Sequence, residues 1–158
     1  MAVGQGFAGE RFTKVLYFAF GGSGDGSSAQ APLSMAADNA TVWNIPAGTL
    51  IDKCYCIIDT AVTGTTNFDI GDDDDADGYL DSSLSVTLGT PGMYGWDAKL
   101  AGAYLRVQTA GATDAADIYV VPAAKFYAAT GKELKMDLTT AATAGALRVV
   151  VEGYYFGR

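Results

Sequence analysis

What most constrains this chain is its punctuation: short apolar, β-branched and aromatic runs alternate with Gly, Pro, Asp and Asn clusters, and no stretch has a helical period. FTKVLYFAF (12–20) reads as a strand whose inward row is Phe12, Leu16, Phe18 and Phe20. TVWNI, a turn at Pro46 and Gly48, and LIDKCYCIIDTAV follow as strand, turn, strand. TTNFDI, SLSVTL, MYGWDAKL, AYLRVQT, DIYVV and KFYAA read likewise, each bounded by breakers. KELKMDLTT alternates cleanly, with Leu134, Met136 and Leu138 on one face and Glu133, Lys135, Asp137 and Thr139 on the other. ALRVVVEGYYF closes the series. About eight to ten strands with turn signals roughly every eight to twelve residues point to an antiparallel sandwich. A βαβ fold would need helical patterns between the strands.

Composition agrees. A chain of 158 residues fits one domain, and 49% hydrophobic residues exclude general disorder. Nine tyrosines and 20 glycines suit strands joined by tight turns. The expectation is an all-β fold, an antiparallel β-sandwich of jelly-roll-like type over residues 12–158, preceded by an extended N-terminal arm over 1–11. The long loop at 21–39 is a contact candidate. Burial in the core is expected for Trp43, Trp96, Tyr154 and Tyr155.

Charge and residue inventory then remove functions. With net charge −8 and no cluster of Lys or Arg, the chain lacks the basic surface that holds nucleic acid. The first residues lack the basic start and apolar core of a signal peptide, and the longest apolar run, Val15–Phe20, is too short for a bilayer. Synthesis in a cytoplasm is therefore expected. There is no histidine, which excludes Ser-His-Asp, Cys-His and His-metal sites within one chain. Glu10, Glu133 and Glu152 sit in no recognisable catalytic context, and GGSGDG lacks the ending of a phosphate loop. Cys54 and Cys56 share one strand face, with parallel side chains too far apart to form a disulfide. They read as small buried apolar residues. No enzyme activity and no cofactor are expected.

IGDDDDADGYLDSS (70–83) is the densest charge in the chain. Asp73, Asp75, Asp77 and Gly78 reproduce the start of a calcium loop, with Asp81 at the ninth position, but Leu84 stands where the bidentate Glu belongs. Two readings stay open: a solvated acidic turn, which Asp and Gly favour, and a Ca²⁺ turn on Asp73, Asp75, Asp77 and Asp81.

One longer pattern carries a resemblance. NIPAGTLIDKCYCIIDTAVTGTTNFDIGDDDDADGYLDS (44–82) has an I-P-A-G-T turn opening a long strand, a T-A-x-x-G turn, an F-D-I-G strand end and an acidic loop closing on an aromatic-Leu pair. It resembles virion proteins of tailed bacteriophages, in particular capsid decoration, or cement, proteins, and AGALRVVVEGYYFGR is similar to their closing strand. The resemblance implies a homotrimer on the outer face of a phage head, partnered by the major capsid protein and located in the virion. The contact residues expected from the arm and its junction are Phe7, Arg11 and Phe12. Two other readings are a carbohydrate- or host-binding sandwich, with Tyr94, Trp96 and Asp97 as a stacking platform, and a tail-tube or connector subunit.

Overall fold

The computed structural model describes residues 9–20, 40–65, 68–81, 88–95, 102–108, 120–138 and 142–157. Its strands are β1 (Glu10–Phe20), β2 (Ala40–Ile45), β3 (Thr49–Thr63), β4 (Phe68–Gly71), β5 (Gly92–Tyr94), β6 (Arg106–Gln108), β7 (Val120–Pro122), β8 (Lys125–Tyr127), β9 (Lys132–Leu138) and β10 (Ala144–Tyr155). A 3-10 turn, Ala103–Leu105, lies before β6. AYL, expected as strand, forms this turn because the chain bends there to dock on the acidic loop, Tyr104 N–H donating to the Gly78 carbonyl at 2.7 Å.

Two antiparallel sheets make the fold an all-β sandwich. The larger runs β1-β10-β3-β5, with β8 also on β3, and the smaller runs β2-β9-β4. β6 and β7 form a separate hairpin. β10 is the spine of the larger sheet, pairing β1 from Glu10↔Tyr155 to Phe20↔Gly145 and β3 on its other side. β5 and β8 share the remaining edge of β3, at Cys56–Ile58 and Thr49–Ile51 respectively.

Alternation decides which side chains meet between the sheets. Leu16, Phe18 and Phe20 of β1, Cys54, Cys56 and Ile58 of β3, and Leu147, Val149 and Val151 of β10 face inward from the larger sheet. Ile45, Phe68, Ile70, Leu134, Met136 and Leu138 meet them from the smaller one, in one continuous cluster. Burying each such side chain stabilises the fold by roughly 1.5–3 kcal/mol before the entropy of ordering it is counted. β3 keeps this phase only through a bulge: Lys53 faces Glu152 and Ile51 faces Gly153, so Asp52 is the extra residue. Ile51 and Cys54, of opposite parity in the sequence, therefore both point inward. Both cysteines are free, and burial pushes the Cys56 thiol up to about 12 and the Cys54 thiol higher still.

Some expectations need revision. Glu10 and Arg11, assigned to the arm, lie in β1 opposite Tyr155 and Tyr154; residues 1–8 and the loop 21–39 lie outside the described residues. Tyr155 is 40% exposed instead of buried. Tyr154 is half-buried on the outward face, because an inward Val151 and Gly153 place its parity outside. Trp43 is half-buried and packs on the core, whereas Trp96 and Asp97 lie outside the described residues.

Candidate functional site

The acidic run folds back on itself. Ile70 and Leu80 exchange backbone hydrogen bonds at 3.0 Å, closing a loop between the end of β4 and Leu80. Inside it the Asp75 carbonyl accepts from the N–H of Asp72 at 2.9 Å and of Gly78 at 3.2 Å. The chain passes so close that a Cβ on Gly71 would lie 2.0 Å from the Asp75 carbonyl oxygen, so only glycine fits. Gly102 is held in the same way, its Cβ position 2.2 Å from the Asp77 carbonyl oxygen.

Asp72, which sequence reasoning left among the loop residues, is the centre. It is 3% exposed. Its Oδ1 accepts from the Tyr104 hydroxyl at 2.7 Å and from the N–H of Asp74 and Asp75 at 2.9 and 3.3 Å, and its Oδ2 accepts from the Tyr127 hydroxyl at 2.6 Å. A phenol has one proton to give, and Tyr127 gives it to Asp72, so Tyr79 donates to the Tyr127 oxygen. Burial alone would raise the Asp72 pKa; the bonds from Tyr127, Tyr104 and the two N–H groups outweigh it and hold the carboxyl below its ordinary value. Burial first, and then the neighbouring carboxylate, raise Tyr104 and Tyr127; Tyr79 is raised by burial and then by Tyr127. All three phenols stay protonated and act as fixed donors.

The outward carboxylates meet lysines. Asp73 pairs with Lys135, and Asp74 with Lys132 at 2.9 Å and Lys125 at 4.0 Å. Lys125 also sits 3.9 Å from the centre of the Tyr104 ring, a cation–π contact that ties β8 to the Ala103–Leu105 turn. Asp75 and Asp77 face each other, and the hydrogen bond between them, followed by burial, raises Asp75 to about 6. The expected solvated turn is thus half embedded, with Tyr79 and Leu80 fully buried and Asp73 and Asp74 clamped by lysines. Of the four candidate Ca²⁺ ligands the loop brings Asp75 and Asp77 together; Asp73 turns to Lys135, and Asp81 follows the Leu80 bridge. Among the described residues no group of three or more carboxylates or thiols is arranged to hold a metal ion.

A second feature lies where β1 and β2, edge strands of the two sheets among the described residues, come side by side. A groove of about 330 Å³ is lined by Phe12, Trp43, Pro46 and Tyr155, with Glu10 and Lys14 at its rim. Phe12 meets Trp43 edge-on, ring centres 5.7 Å apart. Of the expected contact residues, Phe12 therefore lines the groove, Arg11 pairs with Glu152 at 3.0 Å, and Phe7 lies outside the described residues. On the outward face, Phe126, Tyr154 and Phe156 form an aromatic cluster, Phe126 being 49% exposed.

The class these observations define is an all-β sandwich whose described side chains assemble a buried structural network. The same fold occurs in a chain of the cyanophage Pam1 capsid asymmetric unit, with a TM-score of 0.51 and 20% identity, over 98% of this chain and 91% of that one. No protein-family model matches the chain, and no curated protein matches it.

Proposed function

We propose that this chain is a structural virion protein of a bacteriophage, a non-enzymatic decoration or cement protein that binds the outer surface of the head as a homotrimer and stabilises it. The observation that carries the reading is the likeness in fold to a chain of a phage capsid asymmetric unit, which spans nearly the whole of both chains. The decoration role adds the resemblance of residues 44–82 and the rigidity of the acidic loop, whose Asp72, Asp73 and Asp74 are engaged by tyrosines, lysines and backbone. Stabilisation by such a protein is additive, each bound copy adding apolar burial across a seam and the closed trimer adding avidity.

The jelly-roll assignment belongs to the same proposal. β1, β2, β3 and β4 alternate between the larger and the smaller sheet. β9 then enters between β2 and β4, and β10 between β1 and β3, a strand order that supports a winding of nested Greek keys.

The test is the heat-induced release of DNA from purified heads with and without the chain. Heads carrying it should retain DNA to a higher temperature. Unchanged release together with binding on a glycan array would replace this reading by the host-binding one.

A further inference from the structure

We propose that the groove between β1 and β2 is the seat of residues 1–8 of a second copy of this chain. The inference rests on the reading of the protein as a multi-copy assembly, and it names the contact between copies.

Three observations converge. The groove is apolar at its base, with Phe12, Trp43 and Tyr155, and its rim charges, Glu10 and Lys14, are one of each sign. In a molecule of net charge −8 such a neutral apolar surface accepts an uncharged segment without repulsion. Residues 1–8, MAVGQGFA, are that segment: they carry no charged side chain, one aromatic ring at Phe7, and glycines at 4 and 6 that allow close backbone approach. They also join the described chain at Gly9, beside Glu10 on the rim, and eight extended residues span roughly 26 Å, enough to cross to an adjacent copy.

Chain direction selects the second copy over the first. The groove runs beside Glu10, Phe12, Thr13 and Lys14, all after Gly9, so the chain's own segment would have to double back to enter it, at a point where the Phe156 ring lies within 2.9 Å of where a Gly9 Cβ would be. A neighbour's segment enters without reversing the chain. Phe7 would then add a third ring to the edge-on Phe12–Trp43 pair.

Cross-linking tests this. Ala8→Cys protein, which keeps Phe7, is mixed with Thr13→Cys protein, Thr13 being an exposed residue lining the groove, while Cys54 and Cys56 stay buried. Seating raises the effective concentration of the two thiols, so the mixture should give a covalent pair on the order of tenfold above either single variant alone. A bond formed only when both cysteines are on one chain, or none in either case, overturns the proposal. As a second readout, in a Trp96→Phe background Trp43 is the sole tryptophan, and deleting residues 2–8 should red-shift its emission. Unchanged emission counts against the seat. Sedimentation of the unaltered chain with heads is scored separately: head binding without the cross-link rejects the seat and keeps the decoration role, and the cross-link without head binding does the reverse.

Discussion

At the scale of single residues, Asp72 organises more of the molecule than any other polar group described. Its carboxylate satisfies two phenols from different parts of the chain and two N–H groups of its own loop. Asp72→Ala leaves these donors unpaired in a buried site, so stability should fall on the order of 3 kcal/mol. In thermal unfolding that corresponds to a Tm lower by about 6–12 °C for a domain of this size. The acid behaviour follows from two shifts of opposite sign. Asp75 is raised from 3.8 to about 6 by its bond to Asp77, so between those values the folded state holds more protons and stability rises as pH falls. Asp72 is lowered, so its contribution is present above its unfolded value of 3.8 and is lost as pH falls through the folded one. Urea midpoints should therefore rise as pH falls from 6, peak near pH 4 and decline below. Asp75→Asn should flatten the rise across that window, and an unchanged slope would contradict the assignment.

At the scale of elements, most of the described strands were legible in the sequence and their partnerships were not, while SLSVTL, read as a strand, lies almost wholly outside the described residues. The alternation of KELKMDL placed Leu134, Met136 and Leu138 in the core, as found, because one face of β9 is buried and period two is then imposed. The phase of β3 was not readable, since the Asp52 bulge shows only once β10 is paired alongside. The acidic loop was legible as a turn but not as an anchor. Tyr104 and Tyr127 lie 32 and 55 residues from Asp72, and nothing local marks a tyrosine as a partner for a distant carboxylate. The one local signal was the run of aspartates after Gly71, which suits a side chain accepting from the N–H groups two and three residues ahead. Because Lys135 and Lys132 already neutralise Asp73 and Asp74, calorimetric titration with Ca²⁺ should show no micromolar site. Lys135→Ala removes that competition, together with the lysine's 4.0 Å approach to Glu133. Tight Ca²⁺ binding lost on Asp75→Asn and Asp77→Asn would establish a metal turn instead.

At the scale of the whole molecule, the sandwich is closed at its centre and open at its rims. β10 is paired on both sides and the core is continuous between the sheets, while the β1–β2 seam and the Phe126, Tyr154 and Phe156 cluster leave apolar surface exposed. Exposed apolar surface of this kind on a strongly acidic domain is a candidate contact surface for the proposed assembly role. The most direct test is co-sedimentation of the purified chain with expanded phage heads, with the mass of the unbound protein measured by light scattering. The account predicts saturable pelleting in multiples of three copies per site and a trimer in solution. A monomer that stays in the supernatant at every concentration would contradict it.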